Sequence, residues 1–148
     1  IGCGYRVVIA QFLKDGNSSE LKSLSKFPNV TILSGKEVVG FSFTMNEEQK
    51  QLVTKNHNEH LKNTISLCQS EGCDMLILDE VFGAISTGLI DYEMLLSFIK
   101  NKPPQIEVVM TGRDPSEELI EIADYVSDIH KVKHPYDKGI HARDGIEV

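Results

Sequence analysis

Val108-Val109-Met110-Thr111-Gly112-Arg113 is an apolar, β-branched run that stops abruptly in a small polar turn and a cation. Upstream, Met75-Leu76-Ile77-Leu78-Asp79-Glu80 has the same build but ends in two acids. Continuous apolar runs of this length are what strands covered on both faces look like, and such strands belong to parallel sheets. Arg6 to Phe12 is a third run of this kind, and Asn29 to Leu33 reads as a fourth strand stopped by Ser34-Gly35-Lys36.

Helical patterns separate the strands. Lys14-Asp15-Gly16-Asn17-Ser18-Ser19 is turn chemistry, and a short helix fits Ser19 to Ser25. Asn46 is a good N-cap with Glu47 and Glu48 in the first turn, where the helix dipole favours anions. Val53, His57, Leu61, Ile65 and Cys68 then recur at helical spacing up to Gly72. Leu89 to Ile99 forms a second amphipathic helix, broken by Pro103-Pro104 ahead of a strand over Ile106 to Met110. Asp114 as cap, Pro115 at the first helical position and Glu117 at the capping-box site start a further helix that runs to about Ala123. Tyr125 to Ile129 reads as a final strand, and the sequence from His130 onward has no period. Alternating strands and helices predict an α/β domain over residues 1–148, a mostly parallel sheet with helices on both faces.

Composition excludes several classes. The chain has 148 residues, enough for one domain with its own core. A net charge of −7, with no cluster of Lys and Arg among aromatics, argues against a sequence-independent grip on nucleic acid. No apolar run approaches the roughly 18 to 20 residues of a membrane span, and no secretory signal is visible. Cys3, Cys68 and Cys73 match no paired zinc pattern and read as reduced thiols in a cytoplasmic protein. Ile1 stands where Met would be expected, one short turn before a core strand, so an N-terminal piece is expected to be missing.

The candidate chemistry sits at strand ends. In open α/β folds, ligands bind at the carboxyl edge of the sheet. Asp79 and Glu80 there suit Mg²⁺, which takes one or two carboxylates plus substrate phosphates; the alternative is a turn-capping Asp79 and a solvated Glu80. Thr111, Gly112 and Arg113 offer a close backbone approach and a planar cation for phosphate; alternatively Gly112 only makes the turn and Arg113 pairs with an acid such as Asp79. Phe41 and Phe43 alternate in a loop before the long helix, placed to stack on a flat ligand or to pack as core. His57-Asn58-Glu59-His60 is not the His-Glu-x-x-His zinc motif, and His57, on the apolar stripe, is expected to be a packed histidine.

Taken together, the chain resembles the ATP:corrinoid adenosyltransferases of the cobalamin-biosynthesis type, also called cob(I)yrinic acid a,c-diamide adenosyltransferases. The resemblance runs from about Gly2 to Val148. It rests on Val8-Ile9-Ala10-Gln11-Phe12-Leu13-Lys14, Gly40-Phe41-Ser42-Phe43 and Leu78-Asp79-Glu80. Most specific are Thr111-Gly112-Arg113, Ala123-Asp124-Tyr125-Val126, Val132-Lys133-His134-Pro135-Tyr136-Asp137 and Gly145-Ile146-Glu147.

The resemblance implies a RecA-like P-loop NTPase fold, a homodimer, Mg-ATP and a corrinoid as ligands, and a flavoprotein-type electron donor. It implies transfer of the 5′-deoxyadenosyl group of ATP to Co(I) with release of triphosphate. It assigns Glu80 to Mg²⁺ with Asp79 beside it, Arg113 to the phosphates, and Phe41 and Phe43 to the corrin face. Phe43 stands where well-known members carry Trp, and Arg143 where Gln is usual. The family's phosphate loop and the first strand would lie upstream of Arg6, outside the chain. The alternatives are a corrinoid carrier or sensor without the phosphate loop, and a generic P-loop ATPase fragment, which gives no reason for the Lys133-to-Tyr136 segment.

Overall fold

The computed structural model describes residues 1–14, 16–35, 45–143 and 145–146, and the side chain of Glu71 is not described. By contacts the chain divides into two compact units, Ile1–Pro115 and Ser116–Val148.

The first unit carries the sheet. Its strands are β1 (Val7–Gln11), β2 (Val30–Ser34), β3 (Met75–Asp79) and β4 (Glu107–Met110). All pair in parallel, in the order β2-β1-β3-β4. The helices are α1 (Ser19–Leu24), α2 (Glu47–Leu67), α3 (Val81–Ser86) and α4 (Tyr92–Asn101). The α/β architecture with an all-parallel sheet is therefore as expected. Strand β1 is buried at all five positions because it lies inside the sheet, whereas β4, at the end of the order, exposes Val109 by 41%.

The chain leaves β1 toward β2 on one side, then crosses back over β1 to reach β3 and continues outward to β4. Parallel crossovers are right-handed, so this reversal sends α1 to one face and α2, α3 and α4 to the other. The main core agrees. Val8, Ala10, Phe12, Leu76 and Leu78 point to one face and cluster with Leu61, Val81, Ala84, Leu95 and Phe98. The reversal also creates a switch point between the carboxyl ends of β1 and β3, where folds of this class open a ligand crevice.

Local chemistry fixes the elements around that edge. Asn46 and Gln49 form the reciprocal capping box of α2, each side chain bonding the other's backbone N–H at 2.9 Å. The helix ends in a π-helical turn, Cys68–Gly72. Phe12, fully buried just past β1, meets the rings of His57 and His60 edge-on at 5.7 and 5.1 Å. His57 is the packed histidine expected, with Nδ1 3.2 Å from the Leu89 carbonyl. Cys68 and Cys73 are buried free thiols, and burial beside Cys73 pushes the Cys68 thiol up to about 12.

Several boundaries differ from expectation. Helix α3 was not anticipated: it is six residues long and contains Gly83. Helix α4 starts at Tyr92 rather than Leu89 because Asp91 takes the cap, accepting from Met94 N at 3.0 Å.

In the second unit, α5 (Glu117–Ile122) is capped by Ser116, not Asp114. Asp114 has φ 54, whereas an N-cap needs extended backbone. The expected strand at Tyr125–Ile129 does not form. β-favouring residues supply no hydrogen-bonding partner by themselves, and Tyr125 and Ile129 stand 95% and 93% exposed. A 3₁₀ turn, Pro135–Lys138, gives the segment after His130 some local order.

Candidate functional site at the carboxyl edge of the sheet

Register places Gln11 opposite Asp79, and Leu78 opposite Met110, so the ends of β1, β3 and β4 form one edge. That edge brings Asp79, Glu80 and Thr111 into direct contact. The Thr111 hydroxyl donates to Asp79 Oδ1 at 2.9 Å and accepts from Glu80 N at 2.9 Å. Phe82 N donates to the Thr111 carbonyl at 3.3 Å, which ties the start of α3 to the end of β4.

Gly112 is required by space as well as conformation. Its φ is 134°, and a Cβ there would lie 2.8 Å from Phe82 Cβ and 3.1 Å from Phe82 N. Only glycine lets the two strand-end turns approach this closely.

Asp79 is enclosed by donors. Lys14 Nζ lies 2.7 Å and Gln11 Nε2 3.2 Å from Oδ2. Both donors also reach Glu20 Oε1 in the first turn of α1, at 3.4 and 3.0 Å. Burial alone would push the Asp79 carboxyl up, but hydrogen bonds from Lys14 and Thr111, the Lys14 charge and Gln11 outweigh it. The carboxyl is held below its ordinary value. Lys14 is raised in turn, since Asp79 and Glu20 overcome its partial burial. The pairing of Arg113 with Asp79 entertained above is thus corrected: Lys14 takes that place, and Arg113 is exposed.

Glu80 differs from Asp79. Its backbone is left-handed, φ 59° and ψ 21°, and among the described residues its carboxylate has no ion-pair partner. Among the described residues, the non-glycine residues with left-handed backbone are Leu13, Glu80 and Asp114, which follow the carboxyl ends of β1, β3 and β4 within one to four residues. Such backbone costs about 1–2 kcal/mol per residue and concentrates where a structure holds groups for function. One half-buried, unpaired carboxylate matches the way Mg²⁺ is bound, through one or two carboxylates and substrate oxygens. Among the described residues no group of three or more His, Cys, Asp or Glu could hold a metal by itself.

Lys14 and Gln11 were not singled out from sequence for a role. The available signal was position: polar residues directly after any parallel strand share the edge with those after its neighbours. Phe41 and Phe43 lie outside the described residues.

The sequence profile described as ATP:corrinoid adenosyltransferase BtuR/CobO/CobP matches residues 1–148. The chain belongs to this family. A corrinoid adenosyltransferase of Sinorhizobium sp is 40% identical over 82 residues, 55% of this chain and 38% of that protein. Corrinoid adenosyltransferases of Escherichia coli (strain K12) and Pseudomonas aeruginosa are 26% and 29% identical over 99% of the chain. The matched stretch covers 73% and 71% of those two proteins. In an adenosyltransferase-family chain, the parallel sheet and its acidic edge fall into the P-loop NTPase-like class. No described helix is long and apolar enough to cross a membrane.

Proposed function

We propose that the protein transfers the 5′-deoxyadenosyl group of ATP to the cobalt of a reduced corrinoid, cob(I)yrinic acid a,c-diamide in cobalamin biosynthesis or a related corrinoid in salvage. The observation that carries this reading is the family match along the whole chain, joined to an acidic and a basic strand end on one sheet edge. In the reaction the Co(I) electron pair attacks C5′, the C5′–O bond breaks, and triphosphate leaves with that bond's electrons. The nucleophile belongs to the substrate, so the protein needs no nucleophilic side chain. Its work is positioning and stabilising the departing charge.

Glu80 would hold Mg²⁺, which supplies charge neutralisation for the triphosphate. Asp79 supports Glu80 from behind rather than binding the metal itself, because its oxygens are taken up by Lys14, Gln11 and Thr111. Thr111, Gly112 and Arg113 form the turn facing the phosphates, with the Arg113 cation on them and the Gly112 backbone allowing close approach. By the family resemblance, Phe41 and Phe43 would serve the corrin face, where apolar, flat side chains favour loss of the lower axial ligand and so ease reduction. A flavoprotein-type donor supplies the electron, and a cytoplasmic homodimer is the working form.

The direct test is product analysis with the full-length protein, ATP, Mg²⁺ and chemically reduced corrinoid. Inorganic triphosphate formed one-for-one with adenosylated corrinoid supports the reading. Phosphate or pyrophosphate release without a cobalt–carbon product contradicts it.

A further inference from the structure

We propose that Lys14 is a positioning residue for the Glu80 carboxylate, acting through Asp79 and Thr111; this rests on the reading of Glu80 as the Mg²⁺ ligand. The atoms form one connected chain whose donors converge on the Asp79 carboxylate. Lys14 Nζ donates to Asp79 Oδ2 at 2.7 Å, Thr111 Oγ1 donates to Asp79 Oδ1 at 2.9 Å, and Glu80 N donates to Thr111 Oγ1 at 2.9 Å. The last donor is the backbone of the left-handed residue itself, so the chain holds Glu80 in a conformation it would otherwise leave.

Lys14 is the charged donor in this chain. Asp79, Glu20 and Glu80 bring three carboxylates to this edge, and Lys14 contacts the first two. Gln11 bridges the same two acids but carries no charge. Without Lys14, a half-buried Asp79 would lose its counter-ion, turn toward water and release Thr111. The Glu80 turn would then relax. Pairing also settles which acid is left for the cation: Asp79 is neutralised by Lys14, and Glu80 is not neutralised among the described residues. Groups that orient a metal ligand from behind change metal affinity by about 10–100-fold when removed.

The experiment measures Mn²⁺ binding, by the electron paramagnetic resonance of free Mn²⁺, to the full-length protein with adenylyl imidodiphosphate. The variants are Lys14→Met, Lys14→Arg, Thr111→Val and the Lys14→Met/Thr111→Val pair. Lys14→Met and Thr111→Val should each weaken Mn²⁺ about tenfold. The pair should lose about as much as one alone, because both cut the same chain. Lys14→Arg, which keeps the charge, should recover most of the affinity. Affinity in Lys14→Met within twofold of wild type overturns the proposal, and so do multiplicative losses in the pair. If Lys14→Met does not fold, Lys14→Arg decides: a loss as large as that of Thr111→Val overturns the proposal, and retained affinity supports it. A wild-type protein that binds no Mn²⁺ with the nucleotide overturns the Mg²⁺ reading of Glu80 as well. Tight wild-type binding with an indifferent Lys14→Met overturns the Lys14 role alone.

Discussion

Thr111 and Glu80 are joined by a hydrogen bond that runs against the usual direction of sequence reasoning: the side chain of one strand end accepts from the backbone of the other, at 2.9 Å. The same hydroxyl donates a hydrogen bond to Asp79 Oδ1. Three residues on two strands are thereby fixed by a single oxygen. Thr111→Val keeps the shape and removes both bonds, leaving a carboxylate oxygen and an N–H short of partners. Unfolding in urea should show a loss of about 1–3 kcal/mol, with Thr111→Ser recovering most of it. A Thr111→Val protein as stable as wild type would mean that water replaces the hydroxyl without cost.

Glu80 should show function and stability pulling apart. Its left-handed backbone favours glycine, so Glu80→Gly should leave the thermal midpoint unchanged or raised. Both Glu80→Gly and Glu80→Gln should cut adenosyl transfer about a hundredfold at saturating ATP, the scale seen when one charge-stabilising group is removed. Turnover that survives either change would take Glu80 out of the site.

The paired histidines give the fold a dependence on mild acid. Burial holds the pKa of His57 below its ordinary value, against the pull of the Leu89 carbonyl. Burial and the adjacent His57 do the same for His60, against the Gln11 carbonyl. A depressed folded pKa means that the unfolded chain takes up the proton more readily. The stability these neutral rings contribute is complete above about pH 6.5, the unfolded value, and is lost as pH falls through the folded values. The thermal midpoint should drop between pH 7.5 and 5.5, and His57→Gln should flatten that drop. The depressed carboxylates Asp74 and Asp79 lose their contribution only below pH 4, so the two effects separate. A midpoint that stays level from pH 7.5 to 5.5 contradicts this assignment.

Phe43 tests the corrin side. Phe43→Ala should slow reduction of bound Co(II) at least tenfold in single-turnover spectra while changing ATP affinity less than threefold, each tenfold being about 1.4 kcal/mol. Equal losses in both would make Phe43 a packing residue.

The strand ends were legible because their chemistry is local to the chain. A continuous apolar run predicts burial and parallel strands share a carboxyl edge, so Asp79, Glu80 and Thr111 were expected on one edge; their direct contact follows from the adjacency of β3 and β4. The role of Lys14 was not legible. It depends on the turn after β1, where Leu13 is left-handed, and on the strand order that sets Gln11 beside Asp79. The segment Tyr125–Ile129 shows the opposite limit. Its Tyr, Val and Ile favour extended backbone, but a strand needs a partner, and residue type carries no information about one. The cap of α5 moved from Asp114 to Ser116 for a similar reason: residue type permits a cap, and backbone conformation selects it.

Cobalt–carbon bond formation is read directly in an anaerobic visible spectrum. The full-length protein is mixed with cob(II)alamin, ATP and Mg²⁺, and a strong reductant is added. The spectrum of adenosylcobalamin should appear and should be lost on exposure to light. A corrinoid spectrum that shifts on binding yet never yields the light-sensitive product would contradict the proposed transfer.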